Sequence, residues 1–389
     1  MTKNKSEIVV SVIEPDLLMR QILMSMLRRE DGIRLVGSSG FKGTEKGISK
    51  LKAIQPHLVL LAVDRMDSAE MKFFKKIRNE LPEISVILLT KLNMEGAEVA
   101  IEGLKRGAVD YVTKPERRRS LLLAEHHFRK RVLPVVKSLP RFNKKRVAGK
   151  TGSVKNNRTV EREQPIHTGT FRNSRIELLV IGSCLGGVSS LYKVISGLPD
   201  DFPVPVVIIQ HMPKMYTKQL ANNLDEITSL HVREALNNSL LLPGQVYVAP
   251  GGYHSVIKND GNRKKIFLHK GPREHRCRPS IDVMLRSAVQ AFNGNLLSVF
   301  LSGGGEDGIS GAREVLENGG TILIESRDSS LLWDVGLRIK ELDSDITALD
   351  AESIADEIKD ILRAGSGMNV SEKVAITASR THKIVPGPV

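Results

Sequence analysis

Cysteine, histidine and aspartate occupy three loops in the second half of this 389-residue chain, in an arrangement suited to nucleophilic catalysis. Cys184 lies in Gly182-Ser183-Cys184-Leu185-Gly186-Gly187, between an aliphatic run at 176–181 and an amphipathic stretch at 188–196. A G-x-nucleophile-x-G pattern on a strand–turn–helix is a nucleophile elbow, whose small flanking residues let the chain turn sharply and expose the central side chain. The spacing from Gly182 and Gly186 makes Cys184, not Ser183, the central residue. Such a turn could instead cradle a phosphate, but neither the G-x-G-x-x-G nor the Walker pattern is present. His211 directly follows the run 204–210. Asp307 lies in Ser302-Gly303-Gly304-Gly305-Glu306-Asp307-Gly308, behind the run 295–301. Together they compose a Cys-His-Asp triad: Cys184 as nucleophile, His211 as base, Asp307 fixing its tautomer. The backbone amides of Gly303, Gly304 and Gly305 are candidate oxyanion donors. Taken singly, each has a plainer reading: a structural histidine, a tight glycine turn, a packed cysteine.

These residues need a sheet to hold them. Apolar runs at 176–181, 204–210, 246–249, 295–301 and 321–325 alternate with helical stretches at 188–196, 218–224, 281–291 and 311–318. Strand runs alternating with helical patterns imply βαβ units and a parallel sheet. Sites of open α/β sheets form beyond the carboxyl ends of the strands, where all three candidates fall. Residues 264–270 add a strand, which we expect to pair with 246–249 as a hairpin. The first part repeats the alternation, with runs at 8–13, 33–36, 58–63, 85–90 and 108–112 and helical segments at 17–29 and 71–80. Five such units make a small flavodoxin-like domain. A further helix is expected at 121–136.

Hydrophobic residues make up 41% of the chain and aromatics only 4%, so the cores must be mainly aliphatic. No apolar run approaches the ~20 residues of a membrane span. Glu14 and Asp16 interrupt any signal-peptide core, and the reading is a cytoplasmic protein with two reduced cysteines. Residues 116–175 hold 17 Lys/Arg against 4 Asp/Glu, a net of +13 within a total of +14. The excess therefore sits in a linker, which argues against a nucleic-acid-binding surface. The expected organisation is a receiver-like domain at 7–120, a basic helix and flexible linker at 121–174, a catalytic-type domain at 175–363 and a disordered tail at 364–389.

Beyond these patterns, the second half resembles the chemotaxis-receptor methylesterases of the CheB family. GSCLGG is similar to that family's GASTGG, and QHMP (210–213) matches it outright. LSGGGEDG (301–308) is similar to its LTGMGxDG. LLPGQVYVAPGGYH (241–254) and RCRPSIDVML (276–285) are similar to its LxPGxxYxAPGxxH and RHRPSVDxLF. The segment 7–115 resembles a response-regulator receiver, most specifically in GAVDYVTKP (107–115). The resemblance implies a receiver joined to a methylesterase domain. It also implies hydrolysis of glutamate methyl esters, and deamidation of glutamines, on chemoreceptor helices. Methyl-accepting chemoreceptors and a chemotaxis histidine kinase are the implied partners. No cofactor and no metal are implied.

The chain departs from the family in several places. Cys184 stands where the family has serine, Leu185 where it has threonine, Gly304 where it has methionine and Cys277 where it has histidine. Trp333-Asp334-Val335-Gly336 lacks the family's Gly-Met-Pro. In the receiver the acidic pair reads Glu14-Pro15, and the phosphoacceptor position is Ala62, which has no carboxylate. Asp64 lies two residues on, and Thr90 and Lys114 remain as site remnants. A thiol is intrinsically more nucleophilic than a hydroxyl, but a longer C–S bond can displace the attack by ~1 Å, which costs about 10²-fold. Two functions stand side by side: a phosphorylation-independent hydrolase using Cys184, and a catalytically inactive regulator that binds receptor or kinase.

Overall fold

The computed structural model describes residues 7–115, 120–151 and 175–365. The linker at 152–174 and the tail from 366 lie outside the described residues. The first lobe runs β1 (Ile8–Ile13), α1 (Leu17–Arg28), β2 (Ile33–Ser39), α2 (Thr44–Ile54), β3 (Leu58–Ala62), α3 (Ala69–Glu80), β4 (Ser85–Thr90), α4 (Met94–Lys105), β5 (Asp110–Thr113) and α5 (Leu121–Thr151). Its five strands are parallel in the order β2-β1-β3-β4-β5, the flavodoxin-like arrangement of a receiver. Every residue of β1, β3 and β4 is buried, because helices cover both faces of the sheet. Asp16 caps α1, accepting hydrogen bonds from the Leu18 and Met19 amides. α5 continues to Thr151, well past the expected end at 136. Its buried face is Ala124, Phe128, Val132, Val135, Val136 and Leu139, and the polar residues beyond them hid the continuation.

The second lobe contains β6 (Leu178–Ser183), α6 (Val188–Ser196), β7 (Val206–Gln210), α7 (Lys214–Ile227), β8 (His231–Glu234), β9 (Ser239–Leu240), β10 (Gln245–Val248), β11 (His254–Asp260), β12 (Arg263–His269), α8 (Ile281–Phe292), β13 (Leu296–Phe300), α9 (Ile309–Glu317), β14 (Thr321–Glu325), α10 (Asp334–Leu342), β15 (Thr347–Leu349) and α11 (Ala351–Gly365). Seven strands form one parallel sheet in the order β15-β14-β13-β6-β7-β10-β8. The strand near 264–270 is present as β12, but it pairs antiparallel with β11, not with 246–249. Both edges of β10 are already taken by β7 and β8, so it has none to offer. The Asp260-Gly261 turn between β11 and β12, with Gly261 at φ +58°, is the hairpin signal the sequence carried.

The two lobes share a core. Ala97, Ala100, Ile101 and Leu104 of α4 belong to the same apolar cluster as Leu220 and Leu224 of α7. Tyr111 of β5 stacks on Tyr216 of α7, ring centroids 4.9 Å apart and planes at 13°. The Tyr216 hydroxyl donates to Lys91 O at 2.7 Å and pairs with Thr90 Oγ1 at 2.9 Å. A buried hydroxyl with two partners is a strong latch, since its loss leaves both without a bond at roughly 1–3 kcal/mol. Tyr216→Phe is therefore expected to lower the first calorimetric unfolding transition and to speed iodoacetamide labelling of Cys184. An unchanged transition would remove this hydroxyl from the lobe contact.

Candidate active site

The elbow is built by backbone before any side chain acts. β6 and β7 run parallel, and their carboxyl ends leave Cys184 and His211 side by side. The Cys184 amide donates to Ser302 O at 3.1 Å, the Gln210 side chain donates to Cys184 O at 3.1 Å, and the His211 amide donates to Ser183 O at 3.2 Å. Three loops are thus tied to one another. Gly186 turns at φ +75°, and a Cβ there would come 2.5 Å from Leu331 Cδ2, so no larger residue fits. Ser183 closes β6 with its hydroxyl buried and, among the described residues, unpartnered. The turn that follows presents Cys184 instead.

Asp307 is the fixed point. Its Oδ2 bonds His211 Nε2 at 2.7 Å and accepts the Ile281 amide at 2.8 Å. Its Oδ1 accepts the Ser280 hydroxyl at 2.6 Å and the Asp282 amide at 3.2 Å. Burial pushes the Asp307 carboxyl up, but His211, Ser280 and the Ile281 amide more than offset it, and it stays ionised below the usual range. With Nε2 held there, Nδ1 of His211 is left for sulfur. Cys277 Sγ lies 3.7 Å from it, and the Cys184 thiol interacts with the same ring. Burial raises the Cys184 thiol, yet the His211 charge and hydrogen bond, with a contribution from Arg131, bring it net below an ordinary thiol. Burial alone would depress His211. The Cys184 charge and the bonds to Asp307, Cys184 and Cys277 raise it instead. Each shift favours a thiolate–imidazolium pair.

The glycine loop divides in role. The Gly303 amide donates to Leu332 O at 2.9 Å, so it is no free oxyanion donor. The amides of Gly304 and Gly305 stay the loop's candidate donors. Buried Glu325, at the end of β14, accepts the Ser302 amide at 2.8 Å and the Ser190 and Ser329 hydroxyls, each at 2.7 Å. It pins the loop to α6. Sequence reasoning missed Glu325 and Ser280; a Ser followed by an amphipathic helix was the available signal for the latter, which caps α8.

The first lobe covers this site. Asp110 Oδ2 accepts the Gly186 amide of the elbow at 3.0 Å. Burial lifts its carboxyl to about 6 despite the Tyr111 amide, Arg131 and the Gly186 amide. Asp110, Tyr111, Arg131, Cys184 and His211 line a cavity of about 30 Å³, room for about one water. Nothing in the local sequence around 110 or 131 marks them as neighbours of Cys184.

The receiver site itself is altered. Ala62 ends β3, buried and without a carboxylate. Lys114 Nζ pairs with Asp64 at 2.7 Å and lies 3.7 Å from buried Glu14. Burial raises both carboxyls. It prevails in Glu14, while Lys114 and Lys91 bring Asp64 below the usual range. Thr90 points to Tyr216 of the other lobe.

Family models match both lobes of the chain. The CheB methylesterase family matches residues 179–358, and the response regulator receiver domain matches residues 10–125. A protein of Archaeoglobus fulgidus named protein-glutamate methylesterase/protein-glutamine glutaminase is 32% identical over 355 residues, 90% of this chain and 96% of its own length. One of the same name from Clostridium acetobutylicum is 30% identical over 361 residues, 92% of this chain and 98% of its own. The crystal structure of the Thermotoga maritima CheB methylesterase catalytic domain is 34% identical, covers 48% of this chain and 98% of that one, and has a TM-score of 0.47. With receiver and methylesterase regions in one chain and relatives of this identity along most of its length, the protein belongs to the CheB methylesterase family.

Proposed function

We propose that the chain hydrolyses glutamate methyl esters on the cytoplasmic helices of methyl-accepting chemoreceptors, with Cys184 as nucleophile. The observation that carries the reading is the Cys184–His211–Asp307 line, in which Nε2 is held by Asp307 at 2.7 Å and the thiol faces the same imidazole. The thiolate attacks the ester carbonyl, and the oxyanion is met by the amides of Leu185, Gly304 and Gly305. His211 gives its proton to the departing methoxide, methanol leaves, and a Cys184 thioester remains. His211 then takes a proton from water, hydroxide adds to the thioester, and collapse returns the thiolate and a free glutamate. Glutamine deamidation follows the same path with ammonia leaving. It suffers more, because a thiolate is a better leaving group than an amide nitrogen and the first adduct tends to revert. The names of the relatives, protein-glutamate methylesterase/protein-glutamine glutaminase, support both activities.

A second reading is a regulator that binds receptor or kinase without turnover. The observation favouring it is the cover: Asp110 sits on the Gly186 amide, and Ala62 offers no phosphorylation to lift it. The two readings part on turnover. Under the hydrolase reading, Cys184→Ala abolishes methanol release from methylated receptor, and Ser183→Ala leaves it within about twofold because that hydroxyl is buried without a partner. Loss of activity in Ser183→Ala with retention in Cys184→Ala reverses the assignment of the nucleophile. No methanol from a matched receptor set supports the regulator.

Regulation is expected to be independent of phosphorylation. Incubation with acetyl phosphate and Mg²⁺ should leave the intact mass unchanged, since Asp64 is engaged by Lys114 and Lys91 and Ala62 has no acceptor oxygen. A stable phosphoryl adduct on Asp64 would contradict this.

A further inference from the structure

The tight turn before α8 is built from residues that such turns disfavour. Cys277 N donates to Glu274 O at 2.7 Å, and Glu274 N donates to Cys277 O at 3.2 Å. Between them His275 and Arg276 sit at φ +47° and +65°. A two-residue turn with both central φ angles positive belongs to asparagine and glycine. Strained backbone of this kind gathers at functional sites. Here the turn brings one ligand atom each of Glu274, His275 and Asp282 within 4.8 Å of one another.

We propose that Glu274, His275 Nε2 and Asp282 Oδ2 hold a divalent transition-metal cation of the Zn²⁺ kind, with water completing the shell. The strongest sign is at Asp282. It is fully buried, and its Oδ2 has no hydrogen-bond partner among the described residues. A buried carboxylate oxygen in that position calls for a water or an ion. His275 Nε2 lies 3.4 Å from it, yet the two do not meet hydrogen-bond geometry. Zn–N and Zn–O bonds of about 2.0–2.1 Å at a tetrahedral angle span an N···O edge of about 3.4 Å.

Each ligand also has the outer partner that metal ligands carry. His275 Nδ1 faces Glu306 Oε2 at 3.5 Å, a carboxylate behind the imidazole that Arg338 also reaches at 3.5 Å. Asp282 Oδ1 accepts the Gly311 amide at 2.6 Å, which leaves Oδ2 for the cluster. Arg286 holds both oxygens of Glu274, at 2.7 and 2.5 Å, and each oxygen keeps a further lone pair. One imidazole with two carboxylates suits Zn²⁺ or Mn²⁺ better than Mg²⁺ or Ca²⁺, which take oxygen ligands throughout.

The ion staples the turn to the start of α8. The Asp282 amide donates to Asp307 Oδ1 at 3.2 Å, and Cys277, which closes the turn, has its sulfur 3.7 Å from His211 Nδ1. Binding therefore stiffens the loop lying against His211 and supplies no group to the reaction. The site does not rest on the hydrolase reading.

The test titrates the full-length chain, reduced with a phosphine and stripped of metal, with Zn²⁺ against a chromophoric chelator. One Zn²⁺ per chain is expected, with a rise in melting temperature. Glu306→Gln should weaken binding by roughly 10–100-fold, the cost of losing an outer partner, and His275→Ala by more than that. Glu306→Gln, on an exposed side chain, carries the same test should the turn variant misfold. Cys277→Ser should bind as the unsubstituted chain does. With Co²⁺ in place of Zn²⁺, visible absorption should appear without thiolate-to-metal charge transfer. No stoichiometric binding by the unsubstituted chain overturns the proposal, and so does unchanged affinity in His275→Ala. A thiolate charge-transfer band that disappears in Cys277→Ser also overturns it, since the ion would then sit at His211, Cys277 and Asp307.

Discussion

Much of the second lobe depends on one buried carboxylate. Asp307 sits at the N-terminus of α8, where the Ile281 and Asp282 amides and the Ser280 hydroxyl stabilise its charge. An anion at that end of a helix gains from the unsatisfied amides and from the helix dipole. The compensation is what permits a charged group so deep in the fold. It also locks the His211 ring, because the remaining lone pair of Oδ2 faces Nε2. Removing the carboxylate would free the imidazole and leave the amides of α8 without their anion at once. The helix start and the base are therefore one structural unit, and His211 has an orientation before any substrate arrives.

The same logic of amides and anions recurs across the lobe boundary. The elbow leaves the Gly186 amide pointing outward, and Asp110 of the first lobe accepts it. Burial disfavours the charged form of Asp110 and lifts its pKa to about 6, against the Tyr111 and Gly186 amides, whose hydrogen bonds favour the carboxylate, so the contact strengthens as the carboxyl ionises while burial opposes that ionisation. Arg131 from α5 lines the same cavity. The receiver also commits Thr90 to Tyr216, and Lys114 to Asp64. In a receiver with an acceptor carboxylate these are the residues a phosphoryl group would engage. Here they hold the lobes and the residual site together.

Local patterns in the sequence carried the five strands of the first sheet, five of the seven in the second and the elbow, because each is written in contiguous residues; the short edge strands β8 and β15 went unread. β6, the Gly182–Gly186 spacing and the helix after it follow from hydrophobic period and glycine alone. The placement of His211 and Asp307 beyond strand ends was legible for the same reason. What stayed hidden is what depends on contacts between distant segments. Asp110 and Arg131 lie in the first lobe, with no periodic signature to connect them to Cys184. The hairpin partner of β12 was misassigned since pairing is settled by which edges are free, and β10 has none. Gly303 reads as a candidate donor in the sequence, yet its amide is taken by Leu332 O, 29 positions further along the chain (332 − 303 = 29).

Placing sulfur where the family resemblance has oxygen changes the electrostatics more than the shape. A serine site is neutral at the nucleophile until the moment of attack. A thiolate–imidazolium pair next to Asp307, the state both shifts lean toward, would carry two negative charges and one positive. Such an excess inside a protein must be met by fixed donors or by a cation. The amides at the start of α8 meet one end, at Asp307. Arg131 acts on the other, since its charge is among the causes that lower the Cys184 thiol. The covering lobe therefore does two opposite things: it narrows access to the cavity, and it supplies a positive charge that favours the thiolate inside it. Lifting the lobe would open the site and also withdraw that charge, so accessibility and thiolate character are coupled through a single helix, α5.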